Sequence, residues 1–150
     1  MAKDEIKDIS EGSVALGENR FTEGLLLDVA IKAGEVVRKT STGIALNDYY
    51  YTGDPLTIRS PGDWLGVMKE HYEFDLDTDI TAGKYGDVIT EGYCAIFIRA
   101  PGKICYAGTT FYGDQLNPGQ LHWSAAAAPI AKLKRDVAID DTVGIFKLII

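Results

Sequence analysis

Cysteine is scarce in this chain: Cys94 and Cys105 are its only two, and their spacing forms neither a CxxC redox pair nor a zinc set. Histidine is equally rare, with His71 and His122 far apart. Ser124 follows His122 closely, but no GxSxG nucleophile elbow exists. Neither GxGxxG nor GxxxxGK[ST] is present, so the glycines build no recognisable phosphate cradle. No apolar run approaches the about 18 residues of a membrane span. The opening MAKDEIKDIS also lacks the apolar stretch of a secretory signal, so the expected place of synthesis is the cytosol. Positive charge is in deficit as well: 15 Lys and Arg against 22 Asp and Glu give a net charge of −7 and a pI near 4.7. That balance speaks against a general DNA or RNA binder, which wants a basic footprint.

What remains is glycine punctuation between short apolar runs. The 16 glycines are spread through 150 residues that are 46% apolar and 25% charged. Such a chain fits one globular domain with a real core. Short β-compatible runs closed by turn chemistry make the expected fold class all-β, a barrel or sandwich of short antiparallel strands with at most one or two short helices. Residues 1–12 are expected to form a flexible arm, with Ile6 and Ile9 as its only apolar anchors, and residues 13–150 a single β domain.

Along the chain, Val14 and Leu16 alternate before a turn at Gly17-Glu18-Asn19. LLLDVAI, EVVRKT and GIALN follow as short strands. Ser60–Phe74 is the best helix candidate, with Ser60 as cap and Pro61 at the first helical position. WLGVM within it serves equally as a strand. Phe74, Leu76 and Ile80 alternate with Asp75, Asp77 and Asp79, the pattern of a half-exposed strand or extended loop. The three acids match the first ligands of a calcium loop, but Ile80 and Gly86 fail at its two demanding positions, so no metal is expected. YCAIFIRA and KICYAGTTFY flank Pro101-Gly102 as a hairpin. That register places Cys94 opposite Thr109, too far from Cys105 for a disulfide, and two free thiols are expected. Asn117-Pro118-Gly119 marks another turn. PIAKL and VGIFKLII bracket an acidic turn at Asp140-Asp141.

Three stretches invite a contact role. Tyr49, Tyr50 and Tyr51 cannot all face one core in an extended run, and tyrosine is enriched at interfaces. The tract HWSAAAAPIAKLKR begins with His122 and Trp123, and its four alanines are followed at once by Pro129. Proline disfavours helical geometry at Ala128, so Ala125 and Ala126 belong to a small-residue linker suited to close approach by a neighbouring chain. Lys132 and Lys134 share one strand face, either simply solvated or facing an acidic partner.

Read together, IKAGEVVRKTSTGIALN and AGTTFYGDQLNPGQLHWSAAAAPIAKLKRDVAIDDTVGIFKLII resemble the decoration, or cement, proteins of tailed-phage capsids. The Ala-Gly-acidic-x-Val motif falls at Ala33–Val37. The GD-x-L … G-x-L hairpin falls at Gly113–Leu116 and Gly119–Leu121. The likeness covers Asp28–Thr42 and Tyr106–Ile150, and its motifs are glycine-turn patterns. It implies a β-tulip or barrel that oligomerises, frequently as a trimer, on the capsid exterior. There it clamps major capsid protein subunits, with an N-terminal arm touching the shell. It also implies no catalytic residues, and no cofactor, nucleic-acid or membrane partner is expected from the motifs, charge and apolar runs above. On this reading the contact candidates are Ile6, Ile9, Tyr49, Tyr50, Tyr51, Trp123, Ala125, Ala126, Lys132 and Lys134. Two rivals stand beside it: a carbohydrate-binding β domain of a tail fibre, stacking sugars on Tyr50 or Trp123, and a small hydrolase using His122, Ser124 and an unidentified acid.

Overall fold

The computed structural model describes residues 3–8, 13–47, 64–114, 116–124 and 129–149. Among them the protein is all-β. Strands β1 (Ala15–Leu26), β2 (Ile31–Lys32), β3 (Val36–Lys39), β4 (Ile44–Leu46), β5 (Trp64–Met68) and β6 (Asp79–Ile80) precede the long β7 (Tyr85–Phe97). Four more follow: β8 (Thr110–Gly113), β9 (Leu121–His122), β10 (Pro129–Leu133) and β11 (Val143–Leu148). Helical structure among the described residues is limited to one 3-10 turn at Ile6–Asp8.

The strands form a curled antiparallel sheet, a half-barrel, in the order β4-β3-β5-β7-β11-β10-β8-β9; β1 pairs with β7 outside this path, and β2 pairs separately with β6. β7 is central because β-favouring residues run almost unbroken through YCAIF. At Ile89 it is flanked by Phe21 of β1 and Val67 of β5, and at Cys94 by Ala15 of β1 and Phe146 of β11. Inside the curl, Phe111 meets Phe146 edge-on at 5.0 Å between ring centres. Ile96, Ile98, Leu121, Ile130 and Val143 belong to this main cluster. Leu27, Ile31, Val37, Ile44, Met68, Ile80 and Val88 form a second cluster on the β3–β5 flank. Each such side chain contributes roughly 1.5–3 kcal/mol when fully buried.

Several expected elements change. The SPGDWLGVM stretch holds strand β5 rather than a helix over its described part; residues 60–63, with the expected cap, lie outside the described residues. Pairing on both sides outweighs the local helical spacing, with Val37 opposite Gly66 and Val67 opposite Ile89. Gly17-Glu18-Asn19 does not end a strand. It is a bulge inside the continuous β1, where Gly17 has φ 76° and the register shifts between Leu16 and Asn19. Such bulges bend a strand without terminating it. Pro101-Gly102 joins no hairpin either. β7 pairs there with β11, and β8 with β10 and β9, so the two expected partners are separated within the sheet. A Pro-Gly type II turn does not match strand twist, which leaves the long-range pairing free to win. Both thiols are nevertheless buried and free. Burial pushes the Cys94 and Cys105 thiols up, so neither is a ready thiolate. The 74–80 alternation likewise becomes a turn followed by the short β6, with Asp77 at φ 69°.

Of the segment expected as an arm, Lys3–Asp8 is described, and it is docked. The N–H of Lys3 donates to Asp141 (2.9 Å), and the N–H of Thr142 donates back to the Lys3 carbonyl (2.8 Å). Asp77 caps the 3-10 turn, accepting from the N–H groups of Ile6 (2.6 Å) and Lys7 (3.0 Å). Ile6 is fully buried in the main cluster.

Candidate functional site

Three surface regions carry the chemistry-bearing residues. The first is built around β9. His122 is 4% exposed and lies 5.0 Å from the ring of Trp123. The Trp123 indole N–H donates to the Pro101 carbonyl (2.7 Å), and Lys103 Nζ sits 3.8 Å above the same ring. One face of Trp123 is therefore already covered by a cation of its own chain, which leaves less of the indole for a stacking sugar. The Nδ1 of His122 accepts from the Ser124 N–H (3.2 Å) and lies 2.6 Å from the Ser124 hydroxyl. Among the described residues, the nearby acid Asp114 is committed elsewhere. Both Asp114 oxygens accept from Arg99 Nε (3.1 Å), one also from the Leu116 N–H (3.1 Å) and the other from the Asn117 amide (3.0 Å). Asp114 is thus a buried anchor for the β8–β9 turn. Burial, then Arg99, lower the His122 pKa against the opposing pull of Asp114, with Lys103 lowering it further. The folded protein therefore binds a proton at His122 less readily than the unfolded chain. Stability linked to this group is complete above the ordinary histidine range and declines as the pH falls through it.

The second region is a cross-strand row on the outer face of the sheet. Tyr93 of β7 stands opposite Lys147 of β11, Lys147 opposite Lys132 of β10, and Lys132 opposite Thr110 of β8. Lys134, just beyond the end of β10, places its Nζ 4.0 Å above the Tyr93 ring, and Lys147 lies 5.9 Å from it. A neighbouring cavity of about 550 Å³ is lined by Glu18, Asn19, Arg20, Glu91, Gly92, Tyr93 and Lys147. Lys132 and Lys134 were expected on one strand face; Lys147, twelve residues or more away in sequence, completes their cluster through strand pairing alone.

The third region lies where the β2–β3 turn approaches the loop after β7. A cavity of about 430 Å³ here is lined by residues including Lys32, Glu35, Phe97, Arg99 and Gln120. Glu35 Oε1 accepts from the Lys32 N–H (2.6 Å), closing the β2–β3 turn. Burial raises the Glu35 pKa; the Lys32 N–H and charge oppose this, and Asp79 adds to it. A raised carboxyl pKa means that the folded chain holds this proton more tightly than the unfolded one, so ionised Glu35 costs stability as the pH rises through its folded pKa. Glu35→Gln keeps an acceptor for Lys32 and removes the buried charge. It should raise the urea midpoint at pH 7, and the advantage should shrink as the pH is lowered through the carboxylate range. Paired urea titrations of both proteins at neutral and acid pH measure this.

The remaining candidates fall as follows. Ile6 faces the interior of its own chain and presents no contact surface in this structure. Ile9, Tyr49, Tyr50, Tyr51, Ala125 and Ala126 lie outside the described residues. Asp75, Asp77 and Asp79 do not converge on a common point, because Asp77 turns to cap the N-terminal segment; among the described residues no cluster of three His, Cys, Asp or Glu could hold a metal.

The geometry defines a curled all-β domain that carries exposed Lys132 and Lys147 beside Tyr93 on one sheet face. The fold is similar to that of a chain in the solved structure "The capsid of Myoviridae Phage XM1", with a TM-score of 0.63, 11% sequence identity, and coverage of 93% of this chain and 89% of that one. No family model matches the sequence, and no curated protein matches it.

Proposed function

We propose that this chain is a structural virion protein of a tailed bacteriophage. In this reading it binds the capsid exterior and cements neighbouring subunits of the major capsid protein, acting as an oligomer with a trimer favoured. The observation that carries the reading is a fold likeness to a phage capsid chain that extends over 93% of the residues. The sequence resemblance in the Ala33–Val37 and Gly113–Leu121 motifs points the same way, as does the His122–Ser124 pair, whose nearby acid Asp114 is committed elsewhere. The role is structural rather than catalytic, and needs neither cofactor nor nucleic acid. Residues 13–150 act as one β domain. Proposed contacts are Trp123, Lys132 and Lys134 on the described surface, with Ile9, Tyr49, Tyr50, Tyr51, Ala125 and Ala126 beyond it. Several weak contacts repeated around an oligomer gain avidity through effective concentration, which suits a clamp on a lattice.

The test is reconstitution. Purified protein added to expanded shells that lack it should bind saturably, appear as extra density on the outer surface by cryo-electron microscopy, and raise the temperature at which the shells break. Shells that bind none of the protein would end this reading.

A further inference from the structure

Directly opposed like charges in an antiparallel pair are destabilising, because their Cβ atoms are only about 5 Å apart. Lys132 and Lys147 occupy such a pair, and both are exposed. Lys134 adds a third cation beside them through Tyr93. None of the three makes an ion pair with a carboxylate among the described residues. This concentration of positive charge occurs in a chain whose net charge is −7. The Tyr93 ring offsets part of this repulsion, and an anionic partner laid across the row would remove the rest.

The chain itself offers such a partner. β11 and β10 lie on one side of β7 in the sheet order, and β5 lies on the other. The loop that follows β5 carries Glu73, Asp75 and Asp77, and Asp79 opens β6 opposite Lys32 of β2. Asp77 is engaged by the N-terminal segment and Glu73 by Lys84 (3.0 Å). Asp75 and Asp79 are exposed and make no ion pair among the described residues. The lysine row and the acidic stretch thus belong to different strands and loops of one domain. A contact between two different faces of identical chains is head-to-tail, and it closes into a ring when the rotation allows.

We propose that the Tyr93–Lys147–Lys132 row, with Lys134, receives the acidic β5–β6 turn of a second copy of this chain, so that salt-dependent head-to-tail contacts build the oligomer. This rests on the oligomeric cement reading but is tested without a capsid. In sedimentation equilibrium the wild-type chain should exceed monomer mass in dilute salt and dissociate at about 0.5 M salt, where the screening length falls to a few Å. Lys132→Glu with Lys147→Glu should weaken association by about tenfold or more, and adding Asp75→Lys in the same chain should restore part of it. The single variant Lys147→Glu faces Lys132 with an opposite charge. It should unfold at the same or higher urea concentration than wild type, so that lost association cannot be assigned to misfolding. A chain that is monomeric in dilute salt overturns the proposal, as does an oligomer indifferent to salt and to Lys147→Glu. Failure of Asp75→Lys to restore any association to the Lys132→Glu, Lys147→Glu chain also overturns it. If the lysine variants keep the oligomer but lose binding to expanded shells, the row belongs to the coat contact. In that case this proposal falls while the cement reading stands.

Discussion

Replacing Gly66 with alanine is expected to abolish the folded protein. A Cβ at this position would fall on the carbonyl oxygen of Ile89, with Val88 Cγ1 only 2.9 Å away. The obstacle is backbone of the central strand, which cannot rotate aside as a side chain end can. Gly66 also lies where β5 joins the two halves of the sheet, opposite Val37 of β3 and next to Val67, which pairs with Ile89 of β7. Pushing β5 away from β7 would break that ladder and part the two core clusters together. A loss above about 4 kcal/mol is expected, a large share of the about 5–15 kcal/mol that holds a domain folded. Gly83→Ala is the matched control. Gly83 has φ 88°, but an added Cβ would meet nothing within 4 Å, so only the backbone strain of about 1–2 kcal/mol applies. Soluble yield and urea midpoints of the two variants check the contrast. A Gly66→Ala protein as stable as wild type would mean that β5 does not lie against β7 as described.

The same position shows what the sequence does and does not reveal. WLGVM carries both helical and strand patterns, and nothing local chooses between them. The choice is made by Val37 and Ile89, residues far away in sequence whose strands lie on either side of β5. The all-β class, by contrast, is legible because it depends on repeated local signals: short β-branched runs closed by glycine, as at EVVRKT and VGIFKLII. The Asn117-Pro118-Gly119 turn is legible for the same reason, and the structure pairs Tyr112 with His122 across it. Where local chemistry is ambiguous, the expectation fails. Pro101-Gly102 looks like a hairpin turn, but β7 has β11 to pair with, and ladder partners cannot be read from turn residues. Asp77 looks like the polar face of a strand, but its carboxylate finds the N–H groups of Ile6 and Lys7, about seventy positions earlier. The lysine row is half legible: Lys132 and Lys134 stand out in the sequence, whereas Lys147 and Tyr93 join them only through register.

The docked N-terminal segment supplies the second large effect. Ile6 is fully buried, and it fits because position 34 has no side chain; a Cβ on Gly34 would lie 2.6 Å from Ile6 Cδ1. The segment is otherwise held by few groups: the Asp77 cap, the Asp141 bond to Lys3 and the Thr142 bonds to the Lys3 carbonyl. Ile6→Ala should therefore cost about 2–5 kcal/mol, as for other large-to-small changes in a core. Much of that loss should appear as release of the segment, seen as faster protease cleavage before residue 13 under native conditions. Gly34→Ala should reach a similar state from the other side by filling the socket, with an added penalty because Gly34 has φ 96°. The two changes meet at one contact, so they should not add. In the double variant the new methyl group occupies space that Ile6 has left, and the combined loss should be smaller than the sum of the single losses by about 1 kcal/mol or more. A strictly additive cycle would mean that Ile6 and Gly34 do not form one socket, and the docking of residues 3–8 would then have to rest on their polar bonds alone.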